Sequence, residues 1–261
     1  MTIAPFEFAL WFSALPLLLV AATFTWLLSL PLKNVSYADS LWSLLLFAGG
    51  VCYALGSDPR APRLSPVLWL LALWAARLAL HITIRHLKGG EDPRYQAIRE
   101  RHHPRFALKS LYLVFWPRAI LAWVVSLPLL GAFASNRPIA WLDWAGVALW
   151  VVGFLFEVVA DRQLARFRKD PDNSRKVLDR GLWRLTRHPN YFGELCLWWG
   201  FCLMAFAAGA WWAVAGPLLL SYLLLRVSGV SPLERHIGNH RPQYADYVLK
   251  TNAFLPGPPR K

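Results

Sequence analysis

The chain has 261 residues, 56% of them apolar, with 15 Trp and a formal net charge of +13. Soluble domains average about 45–50% apolar residues, so the excess excludes an ordinary soluble domain and points to a single-domain, all-α, polytopic membrane protein. A nucleic-acid binder is excluded too. No basic soluble region carries the charge, which membrane topology and anionic lipid head groups explain.

Seven apolar runs of about 20 residues, the length that crosses a bilayer, follow in chain order: 6–32, 38–56, 66–87, 111–134, 141–160, 192–208 and 211–227. The first has no Lys or Arg before its apolar core and is longer than a signal-peptide core, so it is read as a retained helix. Only Gly209 separates the sixth run from the seventh, which predicts a tight helical hairpin. Lys and Arg concentrate after runs three, five and seven, while the opposite loops hold Arg60, Arg63 and Arg137. With seven crossings the basic segments share one side. The positive-inside rule makes that side cytoplasmic, with the amino terminus outside and the carboxyl terminus inside. Cys52, Cys196 and Cys202 all fall within apolar runs, with neither a disulfide framework nor metal spacing, and no metal is expected.

Ionisable groups at membrane depth are the candidate site. Asp39 opens the second run beside Tyr37. It reads either as a helix N-terminal acid favoured by the dipole or as a neutral acid donating to a substrate carbonyl. Trp74, Arg77 and His81 share a face of the third run, continued by Arg85 and Lys88. The loop from Lys88 to Tyr95 adds a Gly-Gly pair for close backbone approach, together with Asp92, Arg94 and Tyr95. In the fifth run Glu157 and Asp161 are one turn apart and Arg168 follows; two acids there suit ribose hydroxyls or an adenine amine. The stretch Thr186-Arg187-His188-Pro189-Asn190-Tyr191-Phe192-Gly193-Glu194 places cations at a helix start, a plausible pyrophosphate site. Neither a Rossmann nor a P-loop glycine pattern occurs. A dinucleotide pocket would have to be built from helices.

Ala38-Asp39-Ser40-Leu41-Trp42, Glu91-Asp92-Pro93-Arg94-Tyr95, the stretch from Thr186 to Glu194, and the tail from Leu233-Glu234 through Tyr247 occur in that order. Together they resemble the bacterial members of the steroid 5α-reductase family. The resemblance implies an NADPH-dependent reductase of the bacterial inner membrane, its cofactor side cytoplasmic, acting on the C=C bond of a 3-oxo-Δ4-steroid or similar enone lipid. In that family the positions matched by Asn190, Glu194, Asp161, Arg168 and Arg226 contact the cofactor. The position matched by Asp39 is the substrate acid, a Glu in the animal enzymes. Two positions depart from the pattern. Trp74 stands where the animal enzymes have a third-helix Tyr, for which Tyr37 or Tyr53 could substitute, and Glu234 stands where a cofactor-contacting Tyr is expected.

Hydride addition to the β-carbon of an enone develops charge on the ketone oxygen, and Asp39, with Tyr37 or Trp74, is the expected polarising donor. The cofactor is expected to meet Arg77, His81, Arg85, Lys88, Asp92, Arg94, Tyr95, Glu157, Asp161, Arg168, Arg187, His188, Asn190, Tyr191, Glu194, Arg226 and Glu234. A monomer among membrane lipids is expected. An S-adenosylmethionine-dependent membrane methyltransferase, which would share Arg187, His188, Tyr191 and the tail acid, and a non-catalytic lipid binder or transporter are the alternatives.

Overall fold

The computed structural model of the chain describes residues 3–174, 176–227 and 244–260, apart from the side chains at 88 and 89. Every regular element among them is helical. In chain order these are α1 (Phe8–Leu32), α2 (Tyr37–Gly56), α3 (Leu64–Gly89), α4 (Pro93–Arg101), α5 (Phe106–Ser110), α6 (Trp116–Val125), α7 (Leu127–Phe133), α8 (Trp141–Lys169), α9 (Pro189–Ala207), α10 (Ala215–Tyr222) and α11 (Tyr244–Lys250). A π-helical turn, Leu111–Phe115, joins α5 to α6, so Phe106–Phe133 is one apolar run.

Five helices among the described residues are long and apolar enough to cross a bilayer: Phe8–Leu32, Tyr37–Gly56, Leu64–Leu87, Phe106–Phe133 and Trp141–Lys169. This makes the chain an integral membrane protein. The sixth and seventh expected crossings are not among these five. α9 has 19 residues, and Trp211–Val227 is pieced from a 3-10 turn, α10 and a π-helical turn. Between them Gly209 takes φ +92°, a left-handed conformation favouring glycine, and bends the chain as expected. The pattern of exposure fits lipid contact: α1 buries Ala14, Leu18 and Ala22 and presents Phe8, Phe12, Val20 and Phe24 outward.

The contacts define two compact units, Met1–Ala140 with Met204–Gly216, and Trp141–Leu203 with Pro217–Lys261. In the first, α2 is the central helix and packs on α1, α3, α6 and α7. Hydroxyls join the helices where apolar packing alone would leave polar groups unpaired. Ser43 donates to the Ala75 carbonyl at 3.1 Å and Thr83 to the Ser40 hydroxyl at 2.9 Å. Trp11 and Trp123 stack at 3.8 Å, and each indole N–H donates to the other's carbonyl, fastening α1 to α6.

In the second unit, α8 and α9 meet through glycines spaced a heptad apart. A Cβ on Gly193 would lie 2.5 Å from the Gly153 carbonyl oxygen, and one on Gly200 would lie 2.6 Å from that of Gly146. Two backbones approach this closely only where side chains are absent. The contact sets Glu157 beside Gly193 and so aligns the acids of α8 with the polar start of α9. Gly193→Val therefore forces the helices apart. We expect a loss of about 1–3 kcal/mol, read as a lowered unfolding midpoint in detergent; an unchanged midpoint would contradict this packing.

Candidate functional site

The first unit gathers its buried charges where α2 begins and α3 ends. Gly90, with φ +72°, stops α3, its N–H donating to the His86 carbonyl at 3.1 Å. A Cβ at Gly90 would meet nothing within 4 Å. Gly90 thus ends a helix beside open space. The chain then turns on the Ser36 hydroxyl, which accepts from the Asp92 N–H at 2.8 Å. Glu91 accepts from the Val35 N–H at 2.9 Å and from Arg99 at 2.7 Å. Asp92 caps α4 by accepting from the Arg94 N–H at 3.0 Å, with Pro93 in the first turn.

Folded back in this way, α4 delivers two side chains to Asp39. Arg94 Nη2 donates to Asp39 Oδ2 at 3.0 Å, and the Tyr95 phenol donates to Oδ1. From α6, Arg118 Nη2 donates to Oδ1 at 2.6 Å and also to the Tyr95 oxygen. From α3, His86 Nε2 lies 3.7 Å from Oδ2. The Asp39 side chain is 12% exposed, against 52% for Arg94. Burial pushes the Tyr95 phenol above its ordinary range; Arg118 opposes the shift and Asp39 adds to it, and the net effect keeps the phenol protonated. Asp92 is raised by burial, but its hydrogen bonds with Arg94 and the charge of that residue outweigh this and hold it below the usual carboxylate range.

Asp39 therefore does not stand as a neutral donor. It accepts from two guanidinium groups and a phenol, as a carboxylate does. Trp74, expected to assist, is fully buried in the core, twelve residues or about 18 Å of helix rise from His86. Tyr37 opens α2 half-buried, and the phenol that does reach Asp39 belongs to Tyr95. Tyr53 hydrogen-bonds Ser126 at 2.9 Å, fourteen residues along α2 from Asp39. Of the residues expected on a cofactor, Arg94 and Tyr95 bond Asp39, and Asp92 bonds Arg94. Arg77 and His81 are half-buried along α3 and Arg85 is exposed, while the Lys88 side chain lies outside the described residues. Arg118 and His86 escaped the sequence reading. Arg118 had a signal, a lone cation within an apolar run.

The second unit brings Glu157, Asp161, Asn190 and Glu194 to the α8–α9 pair. Glu157 is 3% and Asp161 7% exposed, and Asn190 Nδ2 donates to Asp161 Oδ1 at 3.5 Å. Arg168 is exposed in the last turn of α8, and Arg226 is exposed in the π-helical turn. Glu234 lies outside the described residues. Arg187 reaches the tail. Its Nη1 donates to the Val248 and Thr251 carbonyls, each at 3.0 Å, which caps the end of α11. His188 is 2% exposed and stacks on Tyr191 with ring centroids 5.6 Å apart. More bonds pin this stretch to the tail: Thr186 to the Phe254 carbonyl at 2.8 Å, the Arg187 N–H to that of Asn252 at 3.0 Å, and Tyr247 to that of Trp183 at 2.5 Å. Arg187 thus fastens this stretch to the tail, and His188 packs within it.

Among curated proteins, an uncharacterized protein of Schizosaccharomyces pombe is 26% identical over 268 residues, covering 88% of this chain and 75% of its own. The 3-oxo-5-alpha-steroid 4-dehydrogenase 1 of Mus musculus is 34% identical over 42% of this chain and 40% of its own. A steroid 5-alpha-reductase of Gossypium hirsutum is 37% identical over 26% of each. The chain thus spans well under half the length of the reductases it resembles. No solved structure matches it. Residues 25–251 match the sequence model described as a protein of unknown function, DUF1295, and the chain belongs to that family.

Proposed function

We propose that the chain is a membrane reductase that saturates the C=C bond of an enone lipid, by resemblance a 3-oxo-Δ4-steroid, with NADPH as reductant. The observation that carries this reading is the Tyr95 phenol, kept protonated and held between the Asp39 carboxylate and the Arg118 guanidinium. Reduction of an enone places negative charge on the ketone oxygen. A phenol O–H aimed at that oxygen, backed by a guanidinium, meets the charge as it forms. Asp39 orients the phenol and offsets the two cations. The lipid substrate reaches the site from the bilayer, and the basic ends of the helices face the cytoplasm. The full reading has seven crossings, the amino terminus outside, and a monomer in a bacterial inner membrane.

The second unit offers a donor set that fits the cofactor. Its buried carboxylates Glu157 and Asp161 and the Asn190 amide suit hydroxyl and carboxamide partners, with Glu194 beside them. Arg162, Arg166 and Arg168, exposed on the last turns of α8, suit phosphates. When bound, NADPH would supply the hydride to the β-carbon, and a proton from water would complete the α-carbon. The residues of α8 and α9 hold and orient it.

Tyr95→Phe removes the polarising donor. Its turnover of a 4-ene-3-ketosteroid should fall about 10²–10³-fold, about 2.7–4 kcal/mol, with NADPH affinity unchanged. Undiminished turnover would remove Tyr95 from the reaction. Cofactor choice is read separately by thermal unfolding, since a ligand at a hundred times its Kd adds about 2.7 kcal/mol. NADPH should raise the midpoint and S-adenosylmethionine should not, and Glu194→Gln with Asn190→Ala should abolish the rise. Arg187→Ala should lower the midpoint without any ligand, because it uncaps α11. A rise with S-adenosylmethionine alone would favour the methyltransferase.

A further inference from the structure

His86 is the one member of the Asp39 cluster whose polar atom is both buried and without a hydrogen bond. Its side chain is 4% exposed, and Nε2 makes no hydrogen bond, the Asp39 carboxylate standing 3.7 Å away. Leaving a buried donor unpaired is unfavourable, and such a group in a native protein calls for an explanation. Facing a carboxylate oxygen, Nε2 carries hydrogen, since a lone pair there would oppose the carboxylate. At 3.7 Å it falls short of a hydrogen bond to Oδ2 by about 0.5–1 Å.

The other donors to Asp39 are committed differently. Arg94 shares its guanidinium between Asp39 and Asp92, and Arg118 shares Nη2 between Asp39 and the Tyr95 oxygen. Tyr95 has a single hydrogen, and it lies on Asp39. In the reading proposed above, on which this inference rests, that hydrogen must turn to the substrate ketone. Asp39 then loses one of its hydrogen bonds inside a membrane helix, where an unmatched carboxylate is strongly disfavoured. We propose that His86 is a positioning residue which holds its Nε2–H for this moment, closing on Asp39 Oδ2 as the Tyr95 phenol turns to the ketone. The exchange keeps the hydrogen bonds on the carboxylate constant while one donor is released. His86 touches neither substrate nor cofactor in this scheme. The carboxylate it faces is Asp39 on α2, itself bonded by Arg94 and Tyr95 of α4 and Arg118 of α6.

The test compares His86→Leu with His86→Gln, whose amide keeps a donor. For progesterone reduction, kcat/KM of His86→Leu should fall about 30-fold, and His86→Gln should stay within about threefold of the parent chain. The NADPH-induced rise in unfolding midpoint should be the same in both. Equal losses in the two variants would mean that His86 only fills space, and no loss in either would mean that it is idle; both results overturn the inference. Should His86→Leu not fold, 15N-imidazole NMR of the unsubstituted chain in detergent decides. The Nε2–H resonance should move downfield when progesterone and NADP+ are added together, and an unmoved resonance overturns the inference. Failure of the underlying reading looks different, because Tyr95→Phe would then turn over as fast as the parent chain.

Discussion

The carboxylate of Asp39 is the constraint on which the first unit depends. A carboxylate within a membrane helix persists only if other groups meet its charge, and no residue of α2 does so. Its donors come from α4 and α6, while His86 on α3 stands just beyond reach. α4 has only nine residues and little apolar surface, so it would not form alone. It is held in place by the Asp92 cap, the Glu91–Arg99 pair and the two side chains it lends to Asp39. Buried ion pairs contribute little net stability, since desolvation offsets most of the attraction. A cluster of this density is better explained by what it positions, namely one phenol.

Much of the fold was legible in the sequence because hydropathy is local. Five of the expected runs reappear as spanning helices with their ends moved by a few residues, and Gly209 turns the chain where a lone glycine between apolar runs said it would. Asp39 was legible for the same reason, as a charge in the wrong solvent. Its partners were not. Arg118 is 79 residues away, and only the packing of α2 on α6 reveals the pair. Arg94 and Tyr95 are visible in the sequence, but a cation and a phenol beside glycines look the same whatever they face. The glycine heptads of α8 and α9 are plain in retrospect, yet each glycine alone carries no direction.

The strap in the second unit explains why its motif is a poor guide to chemistry. Thr186 and Arg187 bind tail carbonyls, and His188 is buried against Tyr191. Those contacts fasten the carboxyl-terminal segment to the start of α9, a requirement of the fold that any cofactor would share. A similar stretch in membrane methyltransferases is then expected, and it does not distinguish a sulfonium from a dinucleotide. On the proposed reading, the cofactor is distinguished by residues of α8 and α9 outside the strap, Glu157, Asp161, Asn190 and Glu194.

The choice of phenol over acid follows from the neighbours. A group that polarises a ketone must hold a proton at working pH and must be able to release it from its resting partner. Between two guanidinium groups, Asp39 meets neither condition, because those groups donate and never accept. Tyr95 meets the first through burial, which holds its proton more tightly than in water. It meets the second only if the carboxylate it leaves is not stranded. On α3, the position expected to carry a phenol is filled by the core residue Trp74, and the nitrogen aimed at the carboxylate comes from His86, near the other end of the helix. On the proposed reading, α3 therefore supplies the donor that frees the Tyr95 phenol.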